Sequence, residues 1–200
     1  MIESYKDFEE YIKRLDSKPT LLLHSCCGPC SSSVLELLVN YFKVDVYYYN
    51  PNIYPESEFI KRKNEQERLL KELDNNIKFI EGDYNYNLYK EKVTGMEQEK
   101  EGGARCKTCI NMRMEQACKY AKEHNYDYYT TTLSVSPHKS SKMINEIGYK
   151  LQEKYCIPYL YSDFKKKDGY KKSIELSKKY DLYRQDYCGC KYSVREKKLD

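Results

Sequence analysis

The sequence has no tryptophan, no long apolar run and no leader-like start. No stretch approaches the roughly 20 apolar residues needed to span a bilayer. The opening MIESYKDFEEYIKRL is charged and helix-like, with neither an apolar h-region nor a small-residue cleavage site. Secretion and membrane insertion are therefore not expected, and the reading is a cytoplasmic protein with no membrane partner. Internal repeats, low-complexity linkers and a second-domain boundary are also missing. The 200 residues are read as one domain, 1–200, long enough for a sizeable core. Charge of one sign is not in marked excess either: 35 Lys and Arg against 31 Asp and Glu leave +4, so composition alone does not announce a nucleic-acid binder.

What the chain has in excess is cysteine. Seven of nine fall into three tight clusters, Cys26-Cys27-x-x-Cys30, Cys106-x-x-Cys109 and Cys188-x-Cys190, about eighty residues apart. Thiolates are soft ligands, and close pairs let one stretch of backbone deliver two to a metal. A disulfide framework belongs to small secreted domains, and an odd count pairs poorly. Seven thiolates exceed what one tetrahedral zinc or one four-cysteine iron–sulfur cluster takes. Four would complete a 4Fe–4S cluster; the remaining three, with a carboxylate such as Asp163, would hold a second metal. Cys118 and Cys156 stand alone and read as small buried apolar residues.

Charge and aromatics are unevenly placed. Residues 163–200 form a basic C-terminal segment with Lys165, Lys166, Lys167, Lys171, Lys172, Lys178, Lys179, Arg184, Lys191 and Arg195, whereas acidic residues crowd 91–101. Such a basic end beside a thiol motif would steer a polyanion, although an ordinary solvated surface has the same composition. The 23 tyrosines read mainly as strand and core residues, as in Tyr47-Tyr48-Tyr49, and are weak evidence for base stacking.

Strand and helix patterns alternate along the chain. After an N-terminal helix, the apolar run 20–24 stops at the first cysteines. A helix follows over 31–42 with Val34, Leu35, Leu38 and Phe42 on one face. Residues 44–49 read as a strand closed by Asn50-Pro51-Asn52. The spacing predicts a helix over 57–73 anchored by Phe59, Ile60, Leu69, Leu70 and Leu73, then a short strand at 77–80. Polar residues 84–105 read as a helix followed by a loop. Helix around 109–124, strand 126–133, helix to about 155, strand 157–161 and helix 169–180 complete the pattern. Alternation of this kind predicts an α/β fold with a mostly parallel sheet. Ligands of such sheets collect beyond the carboxyl ends of the strands. Cys26-Cys27 and the segment Ser134 to His138 should open onto that crevice, with the other cysteine pairs on loops folding over it.

The first motif carries its own chemistry. In Cys26-Cys27-Gly28-Pro29-Cys30 a tight turn leads into a helix N-terminus, which lowers thiolate pKa values. Its Cys-Gly-Pro-Cys core is that of a thioredoxin-like dithiol, but an exchanger has no need of Cys26 or of two further clusters. In Cys188-Gly189-Cys190, Gly189 allows unusual dihedrals that let both sulfurs serve one metal or two. His24 and His138 flank sheet-end loops, either as hydrogen-bonded structural residues or as proton donors or ligands. His124 reads as a surface residue.

These residues resemble a known family. Leu22-Leu23-His24-Ser25-Cys26-Cys27-Gly28-Pro29-Cys30-Ser31-Ser32 is similar to the opening motif of the QueH-type epoxyqueuosine reductases. Gly102-Gly103-Ala104-Arg105-Cys106-x-x-Cys109 with Arg113, and Thr131-Thr132-Leu133 through Ser136-Pro137-His138-Lys139, resemble its middle motifs. The C-terminal likeness runs through Asp163-Phe164-Lys165-Lys166, Gly169-Tyr170, Ser173, Glu175-Leu176-Ser177, Leu182-Tyr183-Arg184-Gln185, Tyr187-Cys188-Gly189-Cys190 and Tyr192-Ser193. Ile110, Ser140 and Lys172 depart from the pattern, and none removes a cysteine.

The resemblance implies a Rossmann-like domain of the HUP type, a 4Fe–4S cluster and a neighbouring mononuclear iron. It implies reduction of the epoxide of epoxyqueuosine at the tRNA wobble position, giving queuosine and water, with an anticodon stem-loop as partner and an unidentified electron donor. On that reading Cys27, Cys106, Cys109 and Cys188 hold the cluster, and Cys26 and Cys190, with Cys30 and Asp163, serve the second metal. His24, His138 or Tyr187 supplies protons, and Arg105, Arg113, Lys165, Lys166 and Arg184 grip RNA phosphates. Two rivals share part of the pattern. A tRNA-thiolating enzyme of a related fold would carry a Ser-Gly-Gly-x-Asp-Ser loop where this chain has Ser25-Cys26-Cys27-Gly28-Pro29-Cys30, and a zinc-stabilised RNA-binding module would need no iron.

Overall fold

The computed structural model describes residues 2–73 and 76–193. Along the chain lie α1 (Tyr5–Lys13), β1 (Thr20–His24), α2 (Gly28–Leu38), β2 (Lys43–Tyr48), α3 (Glu56–Leu73), β3 (Phe79–Glu81), α4 (Tyr86–Lys92), α5 (Ala104–Glu123), β4 (Tyr128–Thr131), α6 (Ser141–Tyr155) and α7 (Gly169–Lys179). The four strands form one sheet in the order β3-β2-β1-β4, and every pairing is parallel.

The central strand explains its own composition. Leu21, Leu22 and Leu23 are all fully buried because helices cover both faces of the sheet. Leu22 joins Tyr47 and Tyr129 in a core with α5 and α6, while Leu21 and Leu23 pack with Val34, Leu35 and Leu38 of α2. From β1 the chain first moves to β2 and β3, then returns to place β4 on the other side of β1. That reversal opens a crevice at the carboxyl ends of β1 and β4. The loop bearing Cys26 and Cys27 and the turn beginning at Thr132 both emerge there.

Several local expectations change. The strand foreseen at 157–161 is reduced to a single bridge between Tyr129 and Tyr159; Pro158 lacks the N–H that would extend the ladder. β4 ends at Thr131 and continues as a 3-10 turn over Thr132–Val135. α5 starts at Ala104, so Cys106 and Cys109 ride on the first turns of a helix rather than on a loop. Ile60, foreseen as an anchor of α3, is 44% exposed, and Arg62 and Gln66 take inward positions instead. Cys118 is buried as foreseen, but Cys156 is exposed. Cys156 caps α6 in the left-handed conformation, φ 55°, where the chain turns out of the helix.

Candidate functional site

The loop after β1 is built from polar residues with few alternatives. Ser25 and Ser31 both donate to Gln66 Oε1 of α3, at 2.6 and 2.8 Å, and Asn50 donates its amide to the Ser25 carbonyl at 2.8 Å. Cys27 then caps α2, with Pro29 in the first turn, where its missing N–H costs nothing. The result brings the sulfurs of Cys26, Cys27 and Cys30 within 4.8 Å of one another. Among the described residues this is the one tight group of metal-binding donors. Hydrogen bonds from the Cys27 and Cys30 thiols, with Lys139 and Arg113 nearby, pull the Cys26 thiol well below its ordinary value. In turn Cys26, accepting from the Cys27 thiol, pushes Cys27 up to about 12, and Cys26 and Cys27 together with burial raise Cys30. Cys26 is the first of the three to ionise.

A second set of thiols faces a neighbouring cavity. Cys106 and Cys109, three residues apart on α5, share a face with each other. With Cys188 and Cys190 of the segment after α7 they line a cavity of about 140 Å³. The Gly102 N–H donates to Cys106 Sγ at 3.2 Å. Burial raises Cys106 and pushes Cys109 up to about 12. This cavity adjoins a wider groove of about 660 Å³ lined by Cys26, Cys30, Tyr170, Arg184 and Tyr187. Cys188, Glu101, Arg113, His138 and Lys139 line both.

The thiols therefore fall into two neighbouring groups: Cys26, Cys27 and Cys30, with Cys26 and Cys30 on the groove, and Cys106, Cys109, Cys188 and Cys190 about the smaller cavity, with Cys188 on both. This differs from the expected partition: Cys27 lies with Cys26 and Cys30, and Cys190 lies with Cys106, Cys109 and Cys188. Asp163 is in neither set. Its carboxylate accepts from the Ser141 hydroxyl, and it lines neither cavity.

The other foreseen residues divide. His138 is exposed on both cavities and Tyr187 lines the groove. His24 is fully buried, with Nε2 against the Tyr49 carbonyl at 3.1 Å and Nδ1 against the Thr131 hydroxyl at 2.9 Å. Burial, reinforced by Arg113, lowers it to about 4, and its two ring nitrogens tie β1 to Tyr49 and Thr131. Arg184 lines the groove, exposed, with its guanidinium over the Tyr170 ring. Lys165 instead donates to the carbonyls of Ser136 and Lys139 and braces that loop. Lys166 is exposed beside α1. Arg195 lies outside the described residues.

Arg105 and Arg113 are not surface cations. Arg105 is 1% exposed and donates to the carbonyls of Met96, Glu97 and Glu99. Arg113 is 2% exposed; Cys109, Cys188 and Cys26 around it raise its pKa despite burial. Its guanidinium thus lies beside the thiols and not on the exposed surface.

Residue patterns alone passed over Arg62, Asn50, Gln66 and Glu101, and marked Lys139 only as part of a motif. Arg62 and Gln66 had one available signal: they stand four apart, sharing the inward face of α3 with Phe59, Leu69 and Leu70.

Fold and site define a Rossmann-like α/β protein that gathers seven thiols beyond its strand ends. A family model described as Epoxyqueuosine reductase QueH matches residues 21–196. The chain belongs to this family of oxidoreductases. It is 41% identical over 194 residues to the epoxyqueuosine reductase QueH of Staphylococcus epidermidis, covering 94% of this chain and 82% of that protein. It is 40% identical over 189 residues to that of Haemophilus influenzae, covering 94% and 76%. The protein of the same name from Thermotoga maritima is 33% identical over 185 residues, covering 90% and 92%. Among the described residues no helix is long and apolar enough to cross a membrane.

Proposed function

We propose that this chain reduces the epoxide of epoxyqueuosine at the wobble position of cytoplasmic tRNA, releasing the epoxide oxygen as water and leaving the cyclopentene of queuosine. The observation that carries the reading is the grouping of thiols, three and four, about adjoining cavities in a chain of this family. The overall change consumes two electrons and two protons, and the electrons come from a donor protein or small reductant.

The donor set fits soft, redox-active metal. Cys106, Cys109, Cys188 and Cys190, four thiols about a cavity of about 140 Å³, hold a 4Fe–4S cluster. Cys26, Cys27 and Cys30, whose sulfurs lie within 4.8 Å of one another, would hold the second iron. When bound, these groups supply electrons and a Lewis acid for the epoxide oxygen.

The chain's own residues do the rest. Arg113 and Lys139 offset the thiolate charge between the two sets. His138 and Tyr187, on the groove wall, carry protons to the departing oxygen. Arg184, with exposed basic residues of the C-terminal segment such as Lys166, holds anticodon-loop phosphates. Wobble nucleosides from a strain lacking this chain, and lacking any redundant reductase, should accumulate epoxyqueuosine by mass spectrometry. Normal queuosine in that strain would refute the assignment. A colourless chain that takes up only zinc after anaerobic iron reconstitution would favour the RNA-binding module instead.

A further inference from the structure

The segment that brings Cys188 and Cys190 to the site lies along α3. Leu182 and Cys190 are buried, the Tyr54 N–H donates to the Gly189 carbonyl at 2.8 Å, and the contacts from α3 itself are polar. Arg68 donates to the carbonyls of Tyr180 and Asp181 at 2.9 and 2.8 Å. One turn back, Glu65 accepts the Tyr183 N–H at 2.7 Å, and the Lys61 ammonium stands 3.4 Å from the centre of the Tyr183 ring. Two turns before Glu65, Glu58 accepts the Tyr183 hydroxyl at 3.2 Å. These side chains recur at helical spacing, so one face of α3 acts as a rail for the segment.

Arg62 stands at the thiol end of that rail and is the one rail residue buried to 2% exposure. Glu58 holds its Nε at 2.6 Å. The two remaining nitrogens donate to the Cys188 and Tyr187 carbonyls at 3.3 and 3.5 Å, and the guanidinium lies 5.0 Å from the Tyr187 ring centre. Gly189 completes the fit. It has φ +110°, and a Cβ there would sit 2.8 Å from Arg62 Nη1 and 3.2 Å from Ile53. The absence of a side chain is what lets the guanidinium lie against the backbone between the two cysteines. A planar fork is suited to two successive carbonyls in a way that a lysine is not.

We infer that Arg62 is the positioning residue for the Cys188–Cys190 arm: its guanidinium clamps the arm's backbone so that both sulfurs face Cys106 and Cys109. The clamp makes the four-thiol set conditional on docking of the arm, since α5 supplies two of the sulfurs and the arm the other two. The inference rests on the proposed function only in treating those sulfurs as one ligand set. The nucleoside assay decides the reaction; the metal-free chain decides the clamp.

The test is N-ethylmaleimide alkylation of the anaerobic, metal-free full chain, read peptide by peptide. Arg62→Met should speed labelling of Cys188 and Cys190 by about tenfold, the scale of one lost charge-assisted hydrogen bond. Cys118, in the core beneath α6, should keep its wild-type rate, and Arg62→Lys should recover only part of the protection. Co2+ added to the same chains should show a weaker thiolate-to-metal band per bound ion in Arg62→Met, partly restored in Arg62→Lys. Wild-type labelling at Cys188, full rescue by lysine, an unchanged Co2+ spectrum, or acceleration that includes buried Cys118 would each overturn the clamp. If Arg62→Met does not fold, Gly189→Ala decides: it should expose Cys188 and Cys190 by crowding the guanidinium, and wild-type labelling would overturn the inference.

Discussion

Arg113 and Asn50 meet in the buried floor between the two thiol sets, with Nη1 donating to Oδ1 at 3.3 Å. Arg113 Nε also donates to the Cys109 carbonyl, and Asn50 in turn holds the Ser25 carbonyl beside Cys26. One line of contacts therefore runs from α5 to the loop after β1. Arg113→Met should cost about 2–4 kcal/mol by urea unfolding of the metal-free chain, because it strands buried polar partners. Affinity for an anticodon stem-loop, measured on the folded variant at fixed salt, should stay near wild type. A large loss of RNA affinity without loss of stability would return Arg113 to the RNA surface.

The geometry makes a prediction about cysteines that differs from the partition drawn on the family resemblance. Iron and sulfide content after anaerobic reconstitution should fall sharply in Cys188→Ser and Cys190→Ser. Cys26→Ser should keep the cluster chromophore and lose only the additional iron. Cys118→Ser and Cys156→Ser should keep both, the first being a buried core residue and the second exposed at the end of α6. Loss of the chromophore in Cys27→Ser with retention in Cys190→Ser would restore that earlier partition.

Basic residues should separate by their salt dependence. Arg184 is exposed on the groove, so Arg184→Ala should weaken stem-loop binding and reduce the slope of log K against log salt by about 1. Arg105→Ala should leave that slope unchanged and lower the melting temperature, since its guanidinium holds the 96–99 loop by three carbonyls and lies over the Tyr192 ring. An altered slope in Arg105→Ala would mean that this loop opens to RNA.

What could be read in advance follows from chain-local physics. The leucine run of β1 is buried on both faces, so its composition marks a central parallel strand without any knowledge of its neighbours. Gly28 and Pro29, read as a turn before a helix over 31–42, are themselves the first residues of α2, which ends at Leu38, because proline's fixed φ and missing N–H suit a helix's first turn. The grouping of thiols could not be read that way, because spacing says which cysteines are close in the chain, not which loops meet. Cys190 joins Cys106 only because the arm lies along α3. Polar residues also hid in apolar positions: the periodicity of α3 pointed to Ile60, while Arg62 and Gln66 turn inward to serve the site. Sequence rules are broken where function needs a buried charge. Arg105 misled for a related reason, since the carbonyls that bury it belong to a loop without regular structure.

Away from the site, Asp127 ties the start of β4 to the start of β1, and its titration should be visible in stability. Its Oδ2 accepts from the Thr20 hydroxyl at 2.7 Å and the Thr20 N–H at 2.8 Å. These bonds, the hydroxyl first, hold the carboxyl below its ordinary value. A depressed carboxyl stabilises the fold fully above the unfolded-state pKa of about 3.9 and loses that contribution as pH falls through the folded value. Asp127→Ala should therefore be less stable than wild type at pH 7, by at most about 1 kcal/mol because the group is mostly exposed. In urea melts at pH 7, 5 and 2 the two curves should stay apart at the first two and draw together at the last, below the lowered folded value. A gap that persists or widens on acidification would mean that Thr20 does not depend on the charge of Asp127.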